Sequence, residues 1–305
     1  MTLAVVDPEY TQFAAEWVEK SLEFARHFHA GYARVPQPGS TADTEINHNS
    51  EVGPAGPWSP NATVLPYDVA GGILPIALRE LLASLKLLLV PEMALFGFQA
   101  LARGIIEGAT RAAWVLDPSI DIRERVVRGG LLELESISEA KRVEDASGAG
   151  DGSTYNQRIL ELRTRMATLG IDEDVNGVGR VLGFDAQVLS KKTDAVEAFL
   201  PLLGLAHGKM WYRQMSGISH SVLYGITEYL RAQPVVGTKR AIPVPELPLI
   251  AVANAVVLSI AAYLFVIERH AHLWGRDAAA VAGKREEAAR ELLAASVRPR
   301  PLGSL

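Results

Sequence analysis

Apolar positions recur along this chain at the spacing of an amphipathic helix, roughly every three to four residues, and no sustained alternation marks a strand. Over residues 8–30, Phe13, Trp17, Leu22, Phe24 and Phe28 form one such stripe. The pattern then stops. From 31 to 66 the chain is rich in proline and glycine (Pro36, Pro38, Gly39, Pro54, Gly56), which predicts an extended arm without regular structure. Helical patterning resumes over 68–90. Pro91 breaks it and suits the first position of a helix running to about Leu116, where Asp117-Pro118 ends it. Ser119 or Asp121 suits the N-cap of the next helix, which continues to about Glu144. Further helices are predicted over 154–169, ended by Gly170, and over 193–205, 208–232, 249–274 and 278–296. The stretches 172–185 and 233–248 read as irregular.

These patterns predict an all-α fold: a bundle of about seven to nine helices around a central apolar helix, with a Pro/Gly-rich N-terminal loop. They divide the chain into a helix and extended arm (1–66), a helical bundle (67–297) and a disordered tail (298–305). The central helix carries the one ambiguity. Residues 247–267 hold no charged side chain, a length that can cross a bilayer. Basic residues flank both ends (Lys239, Arg240; Arg269, Arg276), so no orientation is encoded. The surrounding amphipathic helices need an apolar partner, and a buried core helix supplies it. A membrane anchor through 247–267 is the other reading.

Composition narrows the chemistry. A 305-residue chain that is 49% hydrophobic can bury a large core. The net charge of -5 argues against general electrostatic capture of nucleic acid. With no cysteine, disulfides, thiol catalysis and cysteine-ligated metal centres are excluded. Acidic residues at Asp7, Glu9, Glu16 and Glu19 break up any signal peptide, so a cytoplasmic setting is expected.

Three constellations carry candidate chemistry. In Tyr212-Arg-Gln-Met-Ser-Gly-Ile-Ser-His220, Arg213 and His220 stand seven positions apart, close to two helical turns. Arg213, Ser216 and His220 therefore share one face, where a guanidinium can hold a phosphate and an imidazole can move a proton. The structural alternative is that these groups satisfy backbone at a helix crossing. Arg103, Glu107 and Arg111 lie four apart on another helix, where Glu107 can bridge both arginines; an ion-pair network is the plainer role. Arg123, Glu124, Arg125 and Arg128 read as a solvated face. Glu23 with His27 is the nearest approach to a metal pair, but the two Glu-x-x-His helices that a four-helix carboxylate site needs are not present, so no metal and no cofactor are expected. Gly177-Val-Gly179 matches a nucleotide fingerprint only superficially, since no strand is predicted before it.

Two stretches resemble a known family: Arg103-Gly-Ile-Ile-Glu107 through Trp114-Val-Leu-Asp-Pro118 with Arg125 and Arg128 beyond, and Tyr212 to His220. Together they resemble a group of bacterial helical proteins distantly similar to the HEPN superfamily, over roughly residues 68–272. The resemblance implies a helical bundle, a homodimer, RNA as partner and a metal-independent endoribonuclease of a toxin or defence system. Arg213 and His220 would be its catalytic pair, with support from Ser216, Arg103, Glu107 and Arg111. Gln214 departs from the family pattern, which more usually has asparagine, aspartate or histidine there. A non-catalytic helical interaction module is the alternative.

Overall fold

The computed structural model describes residues 7–30, 35–47, 60–89, 97–148, 153–177, 181–219, 230–234, 241–245 and 248–297. The fold is all-α, with a central apolar helix. In chain order the helices are α1 (Pro8–Ala30), α2 (Thr41–Asn47), α3 (Pro60–Tyr67), α4 (Leu74–Leu88), α5 (Gly97–Val115), α6 (Ile122–Ser147), α7 (Ser153–Thr168), α8 (Lys192–Phe199), α9 (Gly208–Ser219), α10 (Leu249–Leu273) and α11 (Ala278–Ser296). A π-helical segment, Asp68–Ile73, joins α3 to α4. The predicted helix start at Pro91, His220 and the tail from 298 lie outside the described residues.

Helix α10 is the axis. Its most apolar 18-residue window has a mean hydropathy of 2.5 and is 89% buried. Every residue from Val252 to Ile267 is buried against α1, α5, α11 and their neighbours. Each large apolar side chain so placed contributes roughly 1.5–3 kcal/mol. Protein covers the apolar surface that a bilayer would otherwise cover. A second, smaller core joins α6 and α7 through Val127, Leu131, Leu162, Met166 and Phe184.

The expected N-cap of α6 holds, and the helix runs a few residues past its predicted end. Asp121 caps α6, its carboxylate accepting from the Glu124 amide at 2.8 Å. Gly148 ends that helix with φ 64°, in the left-handed region that glycine enters without a Cβ clash. Other expectations do not hold. The stretch 31–66 contains two short helices, α2 and α3, hidden from periodicity by their length and by Pro66 within α3. Residues 172–185 hold β1 (Glu173–Val175) and β2 (Val181–Phe184), antiparallel to each other, with β3 (Gln187–Val188) completing the sheet. The turn between β2 and β3 places Asp185 at φ 48° and Ala186 at φ 59°, which is the twist a two-residue hairpin needs. A strand thus does precede Gly177, but the chain continues into β2 and not into a helix. The helix predicted over 208–232 gives way at its C-terminal end to β4 (Leu230–Pro234), paired antiparallel with β5 (Ala241–Pro245).

The largest correction concerns the predicted solvated face on α6. Arg125 is fully buried. Its Nε donates to Glu45 Oε2 at 2.9 Å, its Nη1 to the carbonyls of Val115 (2.7 Å) and Asp117 (3.0 Å), and its Nη2 to that of Ile120 (3.2 Å). Tyr67 donates to the same Glu45 oxygen at 2.5 Å. The connection from α5 to α6 turns its carbonyls inward, and only a fully hydrogen-bonded cation satisfies them there. Arg123 likewise bonds inward, to Asp185 (2.8 Å) and the Gly170 carbonyl (2.7 Å).

Candidate functional site

Helix α9 was expected to carry the site. Its face is set by Trp211, Tyr212 and Met215, which are buried, whereas Arg213 points outward with its side chain 62% exposed. Neighbouring helical positions differ by about 100°, so Tyr212 and Arg213 cannot both face inward. Arg213 pairs with Glu197 of α8 at 2.5 Å, and Lys209 holds the same carboxylate. These two cations keep the Glu197 carboxyl below its ordinary range, Lys209 first. Ser216 is half-buried on the same helix. His220, the proposed proton carrier, lies outside the described residues.

The Arg103, Glu107 and Arg111 set divides. Arg103 Nε donates to Glu107 Oε1 at 2.6 Å, and the Tyr212 hydroxyl donates to that oxygen at 2.9 Å. Burial, then the Glu107 charge, pushes the Tyr212 hydroxyl up to about 12. The inward contact from α9 is therefore tyrosine and not Arg213. Arg111 turns the other way: its Nη2 donates to Glu135 of α6 at 2.9 Å and its Nη1 to the Ser190 carbonyl at 3.4 Å. Glu107 does not bridge the two arginines.

Arg111 stands at the join of two cavities of about 260 and 250 Å³, which share Thr110, Arg111 and Ala195 and form one cleft along α5 beneath α8. The larger has an apolar wall that includes Trp114, Leu189, Phe199 and Leu202, with Asp117 and Arg269 at its polar end. Asp117 accepts from Arg269 Nη1 at 3.2 Å and lies 4.0 Å from Arg128. Burial alone would raise the Asp117 carboxyl. Hydrogen bonds from the Ser119 amide and hydroxyl, with the charges of Arg269 and Arg128, outweigh burial and hold it below the ordinary value. Arg128 also packs over Trp114, 5.0 Å from the ring centre, and donates to the Trp114 carbonyl at 2.6 Å.

The basic groups bordering a further cavity are each balanced. A cavity of about 360 Å³ between α6 and α7 is bordered by Lys141, Arg142 and Arg163. Each is paired with an acid: Asp145, Glu139 and Glu173 respectively. His27 is held at 2.8 Å by the Glu23 carbonyl within α1. Among the described residues no three His, Asp or Glu side chains converge as a metal set.

The sequence marks Asp117 as a helix stop, Arg128 as part of a solvated face and Arg269 as a flanking charge, none of them as a cleft residue, and it gives no sign of Glu135 or Leu202. The clearest signal was Arg269 itself, a charge just past the uncharged run and one turn before Leu273 in a mostly buried helix. Comparison with family models, with curated proteins and with solved structures gives no match.

Proposed function

We propose that this chain is a non-catalytic helical binding module that takes a small ligand in the cleft along α5. The observation behind this reading is the wall of the cleft, where Trp114, Phe199 and Leu202 meet the guanidinium groups of Arg111 and Arg269. Small-molecule sites have that make-up: a mostly apolar concavity with a few converging polar groups. The carboxylates along the cleft, Glu107, Glu135 and Asp117, each face an arginine. The Ser119 hydrogen bonds and the arginine charges around Asp117 hold its carboxyl below the ordinary value and make it a weak base, a poor arrangement for proton transfer. The test is ligand-observed NMR with a mixed set of neutral and charged aromatic fragments. Wild type binds, and Ala198→Trp, on the exposed rim of the cleft, abolishes binding. Equal binding by both proteins rules out the cleft.

One observation favours a second reading, the HEPN-like metal-independent endoribonuclease. The 62% exposure of the Arg213 side chain lets it meet a phosphate from solvent. In that reading Arg213 holds the scissile phosphate and His220 moves the proton, in a cytoplasmic homodimer. RNA cleavage in the presence of chelator, kept by Ala198→Trp and lost in His220→Ala, would select it over the cleft.

A further inference from the structure

We infer that the ligand of the α5 cleft is a small organic anion: a planar apolar ring bearing one carboxylate or phosphate group. This rests on the cleft reading above and adds the chemistry of its occupant. The ionisable side chains bordering the larger cavity are Arg111, Arg269 and Asp117, two cations against one anion. Across the joined cleft Glu135 and Asp117 already pair with these arginines, so an anion would be held by the guanidinium donors not spent on those carboxylates. The side chains of Arg111 and Arg269 are 13% and 21% exposed, so water and salt screen them less than they screen surface arginines.

Their hydrogen bonds leave room for a ligand. Arg269 gives Nη1 to Asp117, and Arg111 gives Nη2 to Glu135 and Nη1 to the Ser190 carbonyl. A guanidinium carries five N–H donors in a rigid fork, so each arginine retains donors for an oxyanion. The apolar lining suits a ring. Trp114 and Phe199 offer aromatic surface, and Leu202, 53% exposed, marks the side open to solvent. Aromatic pairs prefer offset or edge-to-face contacts, which a flat ring can make with either residue. The Phe199 ring is already fixed by an edge contact with Phe265 at 5.5 Å, so this wall is formed before any ligand arrives.

The experiment is calorimetric titration of the whole chain with 1-naphthoate, 1-naphthyl phosphate and neutral 1-naphthamide. At least one anion should bind ten-fold or more tightly than the amide, and added salt should narrow the gap. Whichever anion is tighter identifies the source of the negative charge. Arg269→Gln should weaken that anion at least ten-fold, about 1.4 kcal/mol, and leave the amide unchanged. This variant keeps its fold because Asp117 retains both Ser119 bonds and the nearby Arg128. Arg111→Lys, which keeps charge but loses the fork, should weaken the anion to a smaller degree. Equal affinity for amide and anions, or an unchanged Arg269→Gln, overturns the charge inference and leaves the cleft in place. Failure of all three probes to bind overturns both.

Discussion

Arg125→Met should be among the most destabilising single substitutions in this chain. The guanidinium is fully buried and meets Glu45 and three backbone carbonyls, and it lies 5.5 Å from the Tyr67 ring centre. Methionine fills much of the volume but donates nothing. The Glu45 carboxylate, itself 9% exposed, would keep only the Tyr67 hydroxyl, and the Val115, Asp117 and Ile120 carbonyls would lose their donor. Breaking a buried pair from one side costs about 3–5 kcal/mol. At about 2–4 °C per kcal/mol in domains approaching this size, the Tm should fall by about 6–20 °C. Glu45→Gln should cost less, because Arg125 keeps its carbonyls. The double variant Arg125→Met with Glu45→Met should be less destabilised than the sum of the singles, since neither charge is then stranded. Chemical denaturation of wild type, Arg125→Met, Glu45→Met and the double variant measures the cycle. A cost below about 1 kcal/mol for Arg125→Met, or strict additivity, would refute the reasoning. The result also bears on the cleft, because Arg125 fixes the connection that carries Asp117.

Other outcomes follow from single positions. A Cβ on Gly129 would sit 3.0 Å from Pro66 Cβ and 3.1 Å from its backbone Cα, whereas one on Gly130 would meet the flexible Met166 Cε at 2.7 Å. Gly129→Ala should therefore lose about 1–3 kcal/mol, while in Gly130→Ala the helix propensity gain of about 1 kcal/mol offsets the clash; thermal melts compare them. Ala186→Gly relieves a positive φ of 59° and should raise stability by about 1 kcal/mol; a lowered Tm would contradict the turn assignment. Asp117 has a depressed folded pKa, so its contribution is complete above its unfolded value of about 3.9 and is lost as pH falls through the lower folded value. Asp117→Asn should be less stable at neutral pH and show a flatter acid limb, and parallel limbs would remove the ion-pair account.

How much the sequence reveals depends on where each constraint lies. The α10 core and the Asp121 cap are set by neighbours along the chain, and both were legible. The small sheet was not, because strands of two to four residues carry no period, and its Asp185–Ala186 turn lacks the expected glycine. Glu45 and Arg125 are eighty positions apart, so a charge that read as solvated is buried by a partner no local pattern reveals. On α9 the spacing puts Arg213 and Ser216 three residues apart on one helix. It could not tell which stripe faces the bundle. The aromatic pair Trp211 and Tyr212, with Met215 one turn on, held that information, and they turn Arg213 outward. The cleft is assembled from α5, α8 and α10, so its residues never appear as a motif.

The most direct measurement is a crystal structure of the protein grown with 1-naphthoate. The account places the ring against Trp114 and Phe199, with the carboxylate on Arg269 and Arg111. A ring bound beside Arg213, or anywhere that leaves this cleft unfilled, would contradict it.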